Sequence, residues 1–234
     1  MKSATKNKVV VLSGGVGAAK LLNGLINVIE PSNVTAIVNI ADDTNFHGLH
    51  ISPDLDTVIY TLAGEIDPKK GWGLNNETWN AMKMITRYGG VDWFQLGDRD
   101  LGTHMYRTHR ILEGASLTTI TEEIAKSLNI GANILPVTDD PIKTFVTTCT
   151  LGEIEFQEFF VRHKHDLRIT EVNFRGAKDA TPGPKVIQEI NEAAAIIIAP
   201  SNPIVSIGPI LAIPGISEAL QKKKQRTIAI SGII

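Results

Sequence analysis

Apolar positions along the chain follow two patterns, short continuous runs and runs with helical spacing. Residues 8–12 form a β-branched run that a glycine-rich stretch interrupts, and residues 18–29 then carry leucine and isoleucine at helical spacing. Residues 34–39 form the next continuous apolar run. A strand, a helix and a second strand in this order make a βαβ unit, whose parallel sheet takes helices on both faces. The opening segment therefore predicts an α/β fold with a mostly parallel sheet.

Helical spacing dominates the middle of the chain, and we interpret about residues 65–130 as a helical insertion. The pattern predicts helices over residues 57–62, 78–88, 103–113 and 117–128. From about residue 133 to 176 the apolar runs become short and rich in β-branched residues, and Gly152 suits a hairpin turn. We interpret this part as an antiparallel β-rich insertion, with strands over residues 134–136, 142–150, 154–161 and 168–174.

The α/β alternation resumes in the last part of the chain. The pattern predicts a helix over residues 184–194, a fully apolar strand over 195–199, a helix over 216–224 and a last strand from 227. We predict a single domain over residues 1–234 that contains both insertions.

Composition and charge exclude several classes of protein. Hydrophobic residues make up 43% of the 234 positions, too many for a disordered chain. The 23 basic and 25 acidic side chains give a net charge of −2, so no basic surplus favours nucleic acid as a partner. The single Cys149 fits a reducing compartment. The apolar run after the basic N-terminus, residues 9–12, is shorter than a signal-peptide core, and no apolar stretch reaches the length of a membrane span. We therefore expect a soluble, cytoplasmic protein with no nucleic-acid or membrane partner.

A glycine-rich loop between the first strand and the first helix is the first candidate site. Ser13-Gly14-Gly15-Val16-Gly17 lies where backbone N–H groups and the positive helix end favour an anion. Lys20 follows Ala19 and precedes Leu21, so the spacing departs from a Walker A loop and from the dinucleotide fingerprint. The loop predicts a phosphate-bearing ligand without identifying it. The alternative is that the glycines only form a tight turn.

An acidic segment follows the second predicted strand, at the sheet edge where open α/β proteins bind ligands. It begins at Asn39 and holds four carboxylates and two imidazoles: Asp42, Asp43, Asp54, Asp56, His47 and His50. Hard oxygen ligands of this kind suit Mg²⁺, and the segment holds more of them than a turn requires. Plainer interpretations stay open: a helix N-cap for Asp54, a solvated turn for Asp42 or Asp43, and hydrogen bonding for the two histidines.

Two further polar segments could contact a ligand. Leu96-Gly97-Asp98-Arg99-Asp100 places a guanidinium between two carboxylates just before a predicted helix. Arg99 suits a ligand phosphate or carboxylate because its planar fork matches both, although a structural ion cluster also explains the segment. Ser201 and Asn202 follow the strand at residues 195–199, where they could hold a nucleobase or phosphate or only form a rigid connection.

Five segments taken together resemble one known family, the 2-phospho-L-lactate transferases (CofD). They extend in order from residue 14 to residue 209: Gly14-Gly15-Val16-Gly17-Ala18-Ala19-Lys20, Ser52-Pro53-Asp54-Leu55-Asp56, Leu96-Gly97-Asp98-Arg99-Asp100, Asn133-Ile134-Leu135-Pro136-Val137-Thr138-Asp139-Asp140-Pro141, and Pro200-Ser201-Asn202-Pro203-Ile204-Val205-Ser206-Ile207-Gly208-Pro209. Their order and spread make the resemblance specific.

The resemblance implies an enzyme of coenzyme F(420) biosynthesis with a Rossmann-like core, Mg²⁺-dependent and found in archaea and some bacteria. Family members transfer a phospholactyl or phosphoenolpyruvyl group from a guanosine diphospho donor to the terminal ribitol hydroxyl of the deazaflavin Fo, releasing GMP. It also implies that family members continue past the strand at Thr227, so this chain would lack their C-terminal part. We expect a homodimer, the commonest closed assembly.

Phosphoryl transfer depends chiefly on positioning and on neutralising oxygen charge, and the candidate residues can be assigned on that basis. Asp43 and Asp54 are predicted to bind Mg²⁺, and Asp54, Asp56 and Arg99 to be catalytic. The residues predicted to contact the donor are Gly14, Gly15, Gly17, Lys20, Asn39, Ser201 and Asn202.

Two other functions stay open at this point. A relative from the same superfamily could bind a nucleotide-sugar and serve a regulatory role, with the same glycine loop and Asp-Asp pair. A generic NAD-binding oxidoreductase is disfavoured by the imperfect dinucleotide fingerprint.

Overall fold

A computed structural model describes residues 7–231 of the chain. Within them, five parallel strands form the main sheet, in the spatial order Thr227–Ala229, Ala195–Ile198, Val9–Ser13, Val34–Val38 and Asn133–Pro136. The strands are β1 (Val9–Ser13), β2 (Val34–Val38), β5 (Asn133–Pro136), β9 (Ala195–Ile198) and β10 (Thr227–Ala229). β1 and β2 are buried along their whole length, which explains their continuous apolar sequences. The predicted α/β class is confirmed.

Helices connect these strands. They are α1 (Val16–Leu25), α2 (Pro53–Leu62), α3 (Asn80–Arg87), α4 (Asp98–Leu112), α5 (Leu117–Ser127), α6 (Val186–Glu192), α7 (Gly208–Ala212) and α8 (Ile216–Lys222). The chain runs from β1 outward through β2 to β5 and then returns to β9 and β10 on the other side of β1. Crossovers between parallel strands are right-handed, so helices on the path from β1 to β5 lie on one face of the sheet and helices on the path to β9 and β10 lie on the other. Accordingly, α1 packs on α2, and α6 packs on α8.

The strand order reverses between β1 and β9. In open α/β sheets, ligands bind at such a switch point, outside the carboxyl ends of the strands. Here that edge carries the loop after β1, the loop after β9 and the segment after β2. The topology therefore brings three of the sequence-predicted segments to one place.

Two smaller sheets lie outside the main one. β3 (Thr44–Phe46) and β4 (Leu49–Ile51) form a hairpin within the acidic segment. β6 (Lys143–Thr148), β7 (Gly152–Glu155) and β8 (Ile169–Arg175) form an antiparallel sheet in the order β7-β6-β8. The predicted antiparallel excursion is confirmed from β6 onward.

The sequence interpretation was wrong in two places within the β-rich part. β5 was expected in the antiparallel unit but pairs parallel with β2, because its apolar residues complete the buried edge of the main sheet. The strand expected over residues 154–161 ends at Glu155, and Glu158–Arg162 forms a π-helix instead. Phe156 and Phe159 of that stretch pack in a cluster with Val146, which strand alternation would not allow.

Of the described helices, none is by itself long and apolar enough to cross a membrane, while one bent pair, Pro203–Ala212 with Ile216–Lys222, passes by length and composition only.

Candidate functional site

The loop after β1 is packed tightly against the loop after β9. A Cβ atom on Gly14 would lie 2.5 Å from the Cβ of Ser206, and one on Gly17 would lie 2.2 Å from the backbone oxygen of Pro200. The N–H of Gly14 also donates to Ser201 Oγ, at 3.2 Å. The close approach of the two loops therefore explains why Gly14 and Gly17 are glycines, whether or not a ligand is bound.

Gly15 faces the acidic segment. A Cβ atom on it would lie 2.7 Å from Asp54 Oδ1, so the first turn of α1 and the first turn of α2 meet at this glycine. Asp54 Oδ2 accepts a 3.0 Å hydrogen bond from Asn39 Nδ2, and Asn39 Oδ1 accepts one from the N–H of Ala41. Asn39 thus fixes the loop after β2 and the carboxylate of Asp54 together.

Three carboxylates are buried at this point with little to balance their charge. Burial raises the pKa of Asp54 to about 7. The hydrogen bond from Asn39 opposes this rise, and the negative charge of Asp43 adds to it. Burial, and then the charges of Asp54 and Asp43, hold the pKa of Asp42 well above its ordinary value, against the opposing effects of Thr144 and Asn39. Among the ion pairs of residues 7–231, none involves Asp42 or Asp54. The cluster is therefore short of positive charge.

Asp43 has one oxygen with hydrogen-bond partners and one without. Its Oδ2 lies 2.9 Å from His50 Nε2 and accepts a 2.7 Å hydrogen bond from Ser52 Oγ. Burial raises the pKa of Asp43, and the contacts with His50 and Ser52 oppose the rise. In the described part of the chain, Asp43 Oδ1 and Asp42 Oδ1 are buried with no hydrogen-bond partner. Unpartnered carboxylate oxygens are the donors that a hard divalent cation takes, so these residues fit Mg²⁺.

Asp56 belongs to a different cluster from Asp54. Two residues along a helix turn the side chain by about 200°, so the two carboxylates point to opposite sides of α2. Asp56 pairs through both oxygens with the buried guanidinium of Arg107, whose Nη1 lies 3.1 Å from Asp56 Oδ2. Its charge is compensated there, and the structure does not bring Asp56 together with Asp43 and Asp54.

The cluster around Asp56 continues across α4. His104 lies between Asp56 and Asp100, with 3.7 Å from Nδ1 to Asp56 Oδ2 and 3.1 Å from Nε2 to Asp100 Oδ2. Tyr60 donates a 2.7 Å hydrogen bond to Asp100. Two carboxylates and an imidazole could hold a metal ion, but the guanidinium of Arg107 already occupies both oxygens of Asp56. We interpret this cluster as a buried ion network.

Arg99 lies away from the acidic cluster. Its Nη1 donates to the backbone oxygen of Asn75 at 2.7 Å, and its Nη2 lies 3.0 Å from Glu65 Oε2. The segment from Asp98 was expected to precede a helix, but it forms the first turn of α4, and Glu77 accepts hydrogen bonds from the N–H groups of Arg99 and Asp100. Residues 98–100, which were predicted to form an ion cluster, therefore begin α4 and bind the segment that precedes α3.

The other residues predicted to contact the donor lie either in the loop after β9 or on the surface of α1. Asn202 Oδ1 accepts from the N–H groups of Ile204 and Val205 and caps the π-helix Pro203–Ile207. With Ser201 bonded to Gly14, both polar side chains support the loop itself. Lys20 is exposed on α1, one turn beyond the glycine loop.

An open pocket lies beside this site, between the start of α4 and the segment before α3. It is lined by Lys70, Trp72, Trp79, Gln95 and Asp100, among others. The ammonium of Lys70 lies 5.3 Å from the ring centre of Trp72 and 4.9 Å from that of Trp79. A Cβ atom on Gly71 would lie 3.5 Å from Val16 Cγ1, so the segment that carries Lys70 and Trp72 passes close to the first residue of α1.

Sequence reasoning missed several residues that build the site. Asp42 was counted among the carboxylates that suit Mg²⁺ but was not assigned to the metal, although the Asp-Asp pair directly after a buried strand is a usable signal. Arg107 had no local signal, because its partner Asp56 is about fifty residues earlier in the chain, whereas His104 lies four residues after Asp100 on the same helix.

Comparisons with known proteins match most of this chain. A family model described as 2-phospho-L-lactate transferase CofD matches residues 9–234. A phosphoenolpyruvate transferase of Mycolicibacterium smegmatis is 46% identical over 242 residues, covering 97% of this chain and 74% of that protein. One from Nocardia farcinica is 44% identical over 238 residues, covering 99% and 72%. A 2-phospho-L-lactate transferase of Methanosarcina mazei is 41% identical over 225 residues, covering 96% and 73%.

Two solved structures share the fold, both of a Bacillus halodurans protein described as a member of the UPF0052 family. Their TM-scores are 0.68 and 0.66, they cover 96% and 93% of this chain, and each is 24% identical to it. At this identity the likeness concerns the fold alone. This chain spans 68% and 66% of those two chains.

Proposed function

We propose, because this chain belongs to the CofD family of 2-phospho-L-lactate transferases, that it transfers a 2-phospholactyl or phosphoenolpyruvyl group from a guanosine diphospho donor to the deazaflavin Fo, releasing GMP. Family membership makes it a transferase of coenzyme F(420) biosynthesis, and the donor, the acceptor and the metal are our proposal. The observation that carries it is the buried cluster of Asp42, Asp43 and Asp54 beside the glycine loop, at the switch point of the sheet.

The donor diphosphate is assigned to the glycine loop and the first turn of α1. The positive end of this ten-residue helix favours phosphate, and the loop stands at the edge where α/β sheets bind nucleotides. The guanosine end is assigned toward the loop after β9, which carries Ser201 and Asn202. Since both side chains already support that loop, backbone groups there are the expected ligands.

Asp43 and Asp54 are the proposed Mg²⁺ ligands, and Asp42 joins them. The unpartnered Oδ1 atoms of Asp42 and Asp43 and the deficit of positive charge support this assignment. Bound Mg²⁺ supplies charge neutralisation for the phosphate oxygens of the donor. Asp54 touches the glycine loop directly, so its carboxylate is the group best placed to orient the acceptor hydroxyl toward the phosphorus.

The acceptor is assigned to the pocket that Trp72 and Trp79 line. A planar tricyclic ring can stack on an indole face, and Trp72 is 48% exposed, with the Lys70 ammonium 5.3 Å from its ring centre. Because Gly71 lies near Val16, the segment that carries Trp72 is close to the first turn of α1, to which the donor phosphates are assigned. Arg99 takes an indirect part in this arrangement, since it holds Asn75 and Glu65 of the same segment.

Release of GMP tests the proposal. The protein is mixed with Mg²⁺, Fo and either the lactyl or the enolpyruvyl diphosphoguanosine donor, and GMP is measured by chromatography. We expect GMP and the acceptor that carries the phospholactyl or phosphoenolpyruvyl group to form in equal amounts with one of the donors. No GMP above background with either donor, or tight binding of a nucleotide sugar without turnover, would overturn the proposal.

Replacing Trp72 tests the acceptor pocket. We expect Trp72→Ala to raise the KM for Fo about 10-fold and to leave kcat within about 3-fold, since stacking on one aromatic ring is worth about 1–3 kcal/mol. Steady-state kinetics with varied Fo measure the effect. Tyr88→Ala removes an aromatic ring that is 77% exposed at the end of α3 and should change neither constant. An unchanged KM in Trp72→Ala removes this pocket from the assignment.

The cytoplasmic location, the homodimer and the roles of Lys20 and Asn39 in donor binding stay predictions.

A further inference from the structure

His50 and the α4 helix together fix the orientation of Asp43. His50 is the middle residue of β4, in the hairpin that follows Asp43. Its Nε2 lies 2.9 Å from Asp43 Oδ2, the same oxygen that Ser52 contacts at 2.7 Å. Both contacts engage one carboxylate oxygen and leave Oδ1 buried and unpartnered. The direction in which Asp43 presents its free oxygen is therefore set by His50 and Ser52.

The backbone of His50 is itself held from both sides by α4. Its N–H donates to Thr108 Oγ1 at 2.8 Å, and its carbonyl oxygen lies 3.4 Å from Arg107 Nη1. Arg107 is in turn fixed by its bidentate pair with Asp56 of α2. A short hairpin strand is otherwise a weak support, and these contacts tie it to two helices.

We propose that His50 is a positioning residue for the divalent cation: clamped by Thr108 and Arg107, it holds Asp43 so that Oδ1 faces the cation. This rests on the metal assignment of the proposed function. Groups that hydrogen-bond a ligating carboxylate orient it, and their loss costs about 10–100-fold in metal affinity. His47, in the same hairpin, gives the contrast, since it is exposed and contacts the Phe46 ring instead of a carboxylate.

The test is Mn²⁺ binding to the full chain, followed by the electron paramagnetic resonance signal of free Mn²⁺, with no donor or acceptor present. We expect His50→Asn to weaken Mn²⁺ binding about 10–100-fold. His50→Gln should stay within about 3-fold of the unchanged protein, because its amide nitrogen reaches about as far as Nε2 whereas that of asparagine falls short. His47→Asn is the matched control and should bind Mn²⁺ normally.

Thr108→Val gives a second, independent variant, because it removes the acceptor for the His50 N–H and keeps the shape of the side chain. We expect a several-fold loss of Mn²⁺ affinity while the melting temperature stays within a few degrees. Equal Mn²⁺ affinity in His50→Asn and His47→Asn, or no Mn²⁺ binding by the unchanged protein at millimolar concentration, would overturn the inference. Because no substrate is present, failure of the GMP assay leaves this result standing.

Discussion

Asp54→Asn is expected to lower GMP release by about 10³-fold while the protein stays folded. The substitution keeps the shape of the side chain and removes the charge next to Gly15, where the donor phosphates and the cation are assigned. Steady-state GMP release at saturating Mg²⁺ measures the effect. Asp179→Asn, which neutralises an exposed carboxylate, is the control and should turn over normally. Near-normal turnover in Asp54→Asn would exclude Asp54 from the site.

The same variant should be more stable than the unchanged protein when no metal is present. The pKa of Asp54 is about 7 in the folded chain and 3.8 as its ordinary value, so the folded state binds this proton more tightly. The protonated side chain of Asp54 therefore stabilises the folded state fully below pH 3.8, and this stabilisation is lost as the pH rises through about 7. Thermal unfolding in EDTA should therefore show a melting temperature that falls over this range, with a smaller fall in Asp54→Asn.

Arg107→Met is expected to lower the free energy of unfolding by about 3–5 kcal/mol. Removing the guanidinium leaves Asp56 buried without its partner, and an uncompensated buried charge is costly. Urea unfolding measures the change. Arg99→Met breaks an ion pair whose arginine side chain is 45% exposed, and it should cost about 1 kcal/mol at most.

A double variant separates charge from packing in this prediction. Asp56→Leu combined with Arg107→Met removes both charges, and replacing a buried pair with apolar residues of similar volume is often neutral. We expect it to recover most of the stability that Arg107→Met loses. If single and double variants are equally unstable, packing of the Arg107 side chain and not its charge carries the effect.

The two central strands β1 and β2 were predictable because they are buried on both faces. Residues 8–12 and 34–39 read as continuous apolar runs, and the glycine loop between them marks a strand-to-helix turn. The π-helix at Glu158–Arg162 was not predictable, since its phenylalanines fit a strand equally well until their packing against Val146 is known. The spacing of apolar residues distinguishes a helix from a strand only where a single face of the element is buried.

Only the parts of the site whose residues are close together in the sequence were predictable. Asp43 and Asp54 could be selected because carboxylates cluster after a strand, and the structure places them beside the glycine loop. Asp56 was grouped with them by closeness in sequence, although the helical turn of α2 directs it to Arg107 on α4. Arg99 was likewise assigned to the site from its neighbours in the sequence, Asp98 and Asp100. Its partners, Asn75 and Glu65, lie more than twenty residues earlier.

The first turn of α2 is anchored on two sides, at Gly15 and Asn39 through Asp54 and at Arg107 through Asp56. Rolling this helix about its axis would break both anchors at once, so the first turn of α2 is expected to move little relative to Asn39 and Arg107. Two side chains that point to opposite sides of one helical turn therefore have different tasks: Asp54 presents a carboxylate beside the glycine loop, and Asp56 fixes the helix that carries it.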